Sequence, residues 1–251
     1  MNKTPFHLTD KIIFVTGASS GIGRQIAISV AEMGGKLIIT GRDEKRLKET
    51  FSLLKGTGHL SFIADLNEVE QIENLVSKLP QLDGVVMNAG ISSAYPIKFL
   101  TVKKIQETFN VNYNAVVLLM AGITRQKKIN KAASVVFISS ISSSLPPIGG
   151  AMYSGTKAAI ENFSKVLALE NFQLKIRSNC ISPSMVKTAL YEDLEKTVTK
   201  ESMDAHIKQY PLGVGSPEDV ANCTVFLLSD ASKWITGTSV VVDGGFSLNG
   251  F

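Results

Sequence analysis

Tyr153 and Lys157 stand four residues apart in the segment Tyr153-Ser154-Gly155-Thr156-Lys157. On a helix, that spacing places a phenol and an ammonium on one face. A phenol is a poor acid at neutral pH because its unperturbed pKa is about 10. A fixed cation nearby favours the phenolate, so such a pair can donate or accept a proton near pH 7. The same spacing also occurs on ordinary solvated helix surface in a lysine-rich chain, and only the surrounding elements decide between the two. Upstream lies the run Ser139-Ser140-Ile141-Ser142-Ser143-Ser144. It follows an apolar stretch, Ser134 to Ile138, that reads as a strand. Serines in that place are either ligand contacts at a sheet edge or turn formers.

The elements that must position these groups begin with a buried strand, Ile12 to Thr16, read from its continuous apolar run. It ends in Thr16-Gly17-Ala18-Ser19-Ser20-Gly21-Ile22-Gly23-Arg24, and a helical pattern through Ile26, Ala27, Val30 and Ala31 follows until Gly34-Gly35 stops it. A glycine-rich turn between strand and helix lets backbone amides and the helix N-terminus approach a phosphate closely. Gly17, Gly21 and Gly23 are spaced G-x-x-x-G-x-G, not the G-x-G-x-x-G of the usual dinucleotide fingerprint. Strand and helix still flank the turn on the correct sides, which points to a nucleotide cofactor. A second strand, Leu37 to Thr40, leads into Gly41-Arg42-Asp43. An acidic residue there would take an adenosine ribose hydroxyl and repel a 2′-phosphate. Arg42 beside a helix N-terminus instead opposes the helix dipole, a mismatch that a nearby anion would relieve, so NADP(H) is favoured over NAD(H). Asp43, as an N-cap, could supply part of that relief. Arg24 is either a second cation near the cofactor or plain helix surface.

A third strand, Leu60 to Ala64, ends at Asp65-Leu66, with Asn67 as the expected cap of a helix running to Leu79. Asp65 either accepts from an adenine amino group or is a turn carboxylate. A fourth strand, Gly84 to Met87, leads into Asn88-Ala89-Gly90. Asn88 is expected to tie neighbouring strands through its amide, and Gly90 to let the backbone lie against the cofactor. Thr101 to about Lys128 reads as one long helix with an apolar stripe of Phe109, Tyr113, Val116, Val117 and Met120. Asn112 among these is hydrogen-bonded, holds a water, or kinks the helix. The cations Arg125, Lys127, Lys128 and Lys131 follow its end, favoured there by the helix dipole or serving an acidic partner. A sixth strand, Ile176 to Ile181, leads to Pro183; Ser216-Pro217-Glu218-Asp219 starts a capped helix running to about Ser229, and Ser239 to Val242 is a seventh strand. Strands alternating with helices in this way give a single α/β domain, a doubly wound parallel sheet with ligands at the strands' C-terminal edge.

The 251 residues suit one such domain, and 44% apolar with 19% charged residues is the balance of an ordinary soluble protein. A net charge of +4 without a dense Lys/Arg tract argues against nucleic acid. Cys180 and Cys223 are expected to be buried free thiols, in keeping with a reducing cytoplasm. His7, His59 and His206 are scattered without companions at ligand spacing, so no metal site is expected. The apolar run from Ile12 to Val15 is too short for a signal or a membrane span.

Eight segments together resemble the short-chain dehydrogenase/reductase family across nearly the whole chain. They are TGASSGIG at 16–23, ADL at 64–66, NAG at 88–90, VN at 111–112, ISS at 138–140, YSGTK at 153–157, SPSMVKT at 182–188 and TGTSVVVDGG at 236–245. The resemblance implies a Rossmann-like sheet of seven parallel strands and a hydride transfer between NADP(H), or NAD(H), and a carbonyl. It implies a catalytic set of Asn112, Ser140, Tyr153 and Lys157. Tyr153 would handle the proton, Lys157 would serve the tyrosine and the nicotinamide ribose, Ser140 would bond the substrate oxygen, and Asn112 would hold a water. Ser142 is a second polar contact to substrate. Cofactor contacts are implied for Gly17, Ser19, Ser20, Gly21, Ile22, Gly23, Arg42, Asp65, Leu66, Asn88, Ala89, Gly90, Tyr153, Lys157, Pro183, Val186 and Thr188. The family usually has glycine after this proline, whereas this chain has Ser184. Residues from about 189 to 210 correspond to a substrate lid. The broad group is similar to 3-oxoacyl-carrier-protein reductases, which would make the substrate a carrier-bound acyl thioester. Those commonly follow NAG with I-T-x-D, and this chain has Ile91-Ser92-Ser93-Ala94. A sugar, polyol or steroid ketone is the alternative, and a non-catalytic NADPH-binding regulator a further one. Family members commonly form homotetramers or homodimers, through the long helix after Thr101 and the helix bearing Tyr153.

Overall fold

The computed structural model describes residues 4–92, 94–188, 191 and 199–248. Seven strands form one parallel sheet: β1 (Ile12–Thr16), β2 (Lys36–Gly41), β3 (Leu60–Ile63), β4 (Leu82–Met87), β5 (Ile129–Ile138), β6 (Arg177–Pro183) and β7 (Ser239–Val242). Their order is β3-β2-β1-β4-β5-β6-β7. The chain moves outward from β1 to β3 and returns to add β4 on the other side. The order therefore reverses between β1 and β4, which opens a crevice at their C-terminal ends.

The helices are α1 (Gly21–Glu32), α2 (Glu44–Ser52), α3 (Val69–Lys78), α4 (Val102–Phe109), α5 (Ala115–Arg125), α6 (Ala151–Glu170), α7 (Lys200–Ile207) and α8 (Pro217–Leu228). Alternation along each strand feeds two cores. Phe14, Val85, Val135 and Phe137 face α3, α5 and α6 in one; Ile13, Val15, Val136 and Ile181 face α1 and α8 in the other. Both faces of the sheet are thus covered, which explains the near-continuous apolar strands.

Three local expectations change. The long helix divides: α4 and α5 are joined by a π-helical stretch, Asn110–Asn114, in which the Ala115 N–H reaches the Asn110 carbonyl. Strand β5 starts at Ile129, so Lys131 lies in the sheet. The polar Asn130-Lys131 pair and a register shift, with Ala132 at φ +59°, hid this start. Lys128 donates from Nζ to the carbonyls of Leu79 (2.7 Å) and Ser77 (3.3 Å), closing the end of α3, not of α5. Lys128 is therefore engaged within the fold.

Asn67 does not cap α3. The cap position is Glu68, without a side-chain bond, and Asn67 donates from N and Nδ2 to Asp65 Oδ1, both at 2.9 Å. Ser216 and Asp219 form a reciprocal capping box on α8, with Pro217 at its first turn. Cys180 is buried and its thiol is pushed by desolvation to about 12; Cys223 is only partly buried, and desolvation raises it to about 11. Neither serves as a thiolate nucleophile at neutral pH. No helix among the described residues is long and apolar enough to cross a membrane.

Candidate active site

The crevice between β1 and β4 depends on close backbone approach. Gly17 leaves β1 at φ +65° and Gly21 opens α1 at φ +53°. A Cβ on Gly17 would lie 2.8 Å from the Ala89 Cα. Asn88 fixes this approach, donating from Nδ2 to the Thr16 and Gly17 carbonyls at 3.1 and 3.2 Å. Thr16 Oγ1 in turn accepts the N–H groups of Asn88 (3.0 Å) and Ala89 (3.1 Å). The asparagine does tie β1 to β4. Gly23 packs behind the loop, where a Cβ would collide with the Asn88 amide and the Gly17 carbonyl; it shapes the crevice without lining it.

The crevice holds about 340 Å³ and is lined by Gly17, Ser19, Ser20, Gly21, Ile22, Arg42, Asp65, Leu66, Asn88, Ala89, Gly90 and Thr188. Gly41, Arg46, Asn67, Ile91 and Val111 also line it, and the sequence did not single these out for the cofactor. Ser20, at the N-cap of α1, makes no side-chain cap. The first-turn N–H groups and the positive helix end are therefore available to an anion. Together with the glycine cradle, this fits the diphosphate of a dinucleotide.

At the far end, Asp43 accepts from the Arg46 backbone (2.9 Å) and from Arg46 Nε (2.8 Å), and these bonds hold its carboxyl below the usual range. Arg42 is exposed on the crevice wall and has no hydrogen bond or ion pair among the described residues. Arg24 is neither a crevice residue nor plain surface. It donates to Thr50 Oγ1 (2.9 Å) and to the Ser19 carbonyl (2.8 Å), and it pairs with Glu49, pinning the glycine-rich loop to α2. Asp65 combines a turn role, through Asn67, with a place on the crevice wall.

A second cavity of about 840 Å³ continues from the crevice, sharing Ile22, Asn88, Gly90, Ile91 and Thr188. Ser140, Ser142, Tyr153, Lys157, Pro183 and Val186 line it together. Lys157 is buried, donates from Nζ to the Ile138 carbonyl at 2.8 Å, and lies 5.5 Å from the centroid of the Tyr153 ring. The Tyr153 hydroxyl has no hydrogen bond to any described residue and is not sealed in the core. Ser140 Oγ accepts from the Ser142 N–H (3.2 Å) and donates to Ser142 Oγ (3.1 Å).

The serine run divides by direction. Ser140, Ser142 and Ser144 line the cavity, Ser139 borders it but donates to Glu161 Oε1 at 2.9 Å, and Ser143 points away and donates to the same oxygen at 2.8 Å. Ser182 and Ser239 reach the same oxygen at 2.7 and 3.3 Å. Glu161, one turn after Lys157, thus gathers β5, β6 and β7 against α6. The serines' abundance was visible in the sequence; their common acceptor was not.

Asn112 lies behind the site and lines neither space. Its Oδ1 accepts the Ile91 N–H at 2.8 Å, and Nδ2 donates to the Ile91 carbonyl at 2.8 Å and to Thr156 Oγ1 at 3.3 Å. Both Nδ2 hydrogens are thus used by protein, and Oδ1 keeps one acceptor site. Of the lid span, residues 189–190 and 192–198 lie outside the described residues; Tyr191 and α7 are described. Tyr191, His206, Tyr210 and Phe246 join the cavity wall, and so do Leu145 to Ile148, which the sequence reading passed over.

A family model described as Enoyl-(Acyl carrier protein) reductase matches residues 17–247. Among curated relatives, a 3-oxoacyl-[acyl-carrier-protein] reductase of Rickettsia felis is 33% identical over 239 residues, covering 95% of this chain and 97% of that protein. The L-xylulose reductase of Caenorhabditis elegans is also 33% identical, covering 97% and 98%. A short-chain alcohol dehydrogenase, so described, from Sinorhizobium meliloti superposes with a TM-score of 0.90 at 26% identity, covering 98% and 99% of the two chains. The two curated relatives are, by name, reductases of chemically unlike substrates, and this chain matches each over nearly its whole length. The chain belongs to the short-chain dehydrogenase/reductase family of NAD(P)-dependent oxidoreductases.

Proposed function

We propose that this protein reduces a ketone to a secondary alcohol with NADPH, using Tyr153 as the proton donor. The observation that carries the reading is the unengaged Tyr153 hydroxyl, beside the Lys157 ammonium, in a cavity continuous with a phosphate-binding crevice. A bound reduced nicotinamide supplies the hydride equivalent. The Tyr153 hydroxyl donates its proton to the carbonyl oxygen, and Ser140 turns its hydroxyl from Ser142 to the same oxygen. Ser142 provides a second polar contact. Lys157, anchored on the Ile138 carbonyl, presents its remaining donors toward the phenol and the ribose. Asn112 acts as a positioning residue, holding Ile91 and Gly90 against the cofactor through both amide atoms.

Backbone contacts from Pro183 and Val186, and Thr188 close to Gly21, extend the cofactor wall. The preference for NADPH rests on Arg42, free on the crevice wall, and on Asp43, turned away into the α2 cap. Residues 189–210 serve as the substrate lid. Two unpaired thiols suit a cytoplasmic location. Exposed Val102, Ile105, Leu118, Val166 and Leu169 on α4, α5 and α6 suit a homotetramer or homodimer, and nothing lies within 4 Å of a Cβ built on Gly155.

A carbonyl panel with NADPH tests the activity: turnover is expected, and binding without turnover of any carbonyl contradicts it. In titrations, Arg42→Ala should weaken NADPH about ten-fold, near 1.4 kcal/mol, and leave NADH within about two-fold. Equal wild-type affinities for the two cofactors would overturn the preference.

A further inference from the structure

The face of α6 that carries Tyr153 and Lys157 continues one turn further to Glu161, so three residues spaced four apart share it. Each of the last two is bonded to the end of β5 or the turn beyond it. Lys157 donates from Nζ to the Ile138 carbonyl, and Ser139 Oγ reaches the Lys157 carbonyl at 3.3 Å. Glu161 Oε1 then accepts from Ser139 at 2.9 Å and from Ser143 at 2.8 Å, on either side of Ser140 and Ser142. Between these two bonds lies the 3-10 turn Ile141–Ser143, closed by the Ser143 N–H on the Ser140 carbonyl at 3.0 Å. The two serines that line the cavity therefore stand in a short segment whose ends meet one carboxylate oxygen. That oxygen also accepts from Ser182, the residue before Pro183, at 2.7 Å. Glu161 itself lines neither the crevice nor the cavity.

We infer that Glu161 is a positioning residue for the reaction: it fixes the turn of residues 139–143 on α6 and so sets Ser140 against the Tyr153 hydroxyl. This rests on the reductase reading above. Two groups that act on one carbonyl oxygen must keep their mutual geometry, and a misplacement of about 1 Å costs up to about 100-fold in rate. Tyr153 belongs to α6, whereas Ser140 follows β5, so their alignment depends on what joins helix to strand end. Lys157 joins them before Ser140, through Ile138; Glu161 joins them after it, through Ser143. A carboxylate holds hydroxyls more firmly than a neutral acceptor does. Without it the far end of the turn is released, and Ser140 keeps only its bonds to Ser142.

Wild-type protein is first offered ethyl acetoacetate, L-xylulose, 2-decalone and acetoacetyl-coenzyme A with NADPH, and the fastest of these serves for every variant. Glu161→Ala should lower kcat at saturating NADPH about ten-fold. It should also weaken NADPH binding about three-fold in titration, through Ser182 beside Pro183. Glu161→Gln, which keeps an acceptor oxygen, should restore kcat to within about three-fold of wild type. In a Ser140→Ala background, Glu161→Ala should change kcat by less than about two-fold, because the group it positions is gone. A purely structural glutamate gives another pattern at a temperature where all variants are folded: kcat unchanged, or lowered equally in both backgrounds. Either result overturns the inference and leaves the reductase reading standing. Should Glu161→Ala fail to fold, Ser143→Ala carries the same comparison, with a fall of about three-fold that vanishes in the Ser140→Ala background. If no carbonyl is turned over by wild type, the reductase reading itself fails and the inference falls with it.

Discussion

The crevice and the cavity meet at Gly90 and Ile91 but are built on opposite terms. The crevice is made where backbone must approach backbone: Gly17 against Ala89, Gly23 against the Asn88 amide, the α1 N-terminus left without a cap. There the physics dictates residue type, because any Cβ collides or is strained at positive φ. The cavity is made where side chains must only fill a shape. Its walls come from segments around 91, 145, 184, 206 and 246, and many apolar residues serve equally. A constraint on backbone leaves a motif in the sequence; a constraint on volume leaves almost none.

The largest expected break in this contrast is Gly17→Ala. With φ at +65° and the Ala89 Cα only 2.8 Å from the added methyl, the loop must move. Unfolding free energy should fall by about 1–3 kcal/mol and NADPH affinity at least about ten-fold, read by denaturant titration and calorimetry. Glu161→Ala comes next, between the two regimes. It removes the shared acceptor of Ser139, Ser143, Ser182 and Ser239. Ser139 keeps the Lys157 carbonyl and Ser182 and Ser239 keep each other, so the loss falls chiefly on Ser143 and should cost about 1–3 kcal/mol in denaturant titration. A loss of stability with unchanged cofactor affinity would place the glutamate wholly on the structural side. The smallest effect belongs to Ile148→Ala, on a side chain 98% exposed at the cavity mouth. Stability should stay within about 0.5 kcal/mol, while KM for the carbonyl substrate shifts a few-fold. If Gly17→Ala proved as mild as Ile148→Ala, the distinction between backbone and volume constraints would collapse.

The same distinction explains what the sequence made legible. The sheet, the capped start of α8 and the tie from Asn88 to β1 all follow from local chemistry: apolar runs, Ser-Pro at a helix start, a polar amide at a strand end. The start of β5 did not, because a register shift interrupts its pattern. Asn112 was conspicuous as an amide in an apolar stripe, but its partner Ile91 lies 21 residues away and left no trace beside it. The Glu161 cluster joins residues up to 78 apart, and the hydrogen bonds from Ser184 through Tyr210 to His206 cross from β6 to the region of α7. Contacts of that separation depend on the fold being known first.

The central claim is that Tyr153 delivers the proton in a site that binds its cofactor independently of that hydroxyl. The most direct measurement pairs turnover and NADPH titration on Tyr153→Phe. The account predicts a kcat lower by about 10³-fold with NADPH affinity within about two-fold of wild type. Retained turnover in that variant would contradict it.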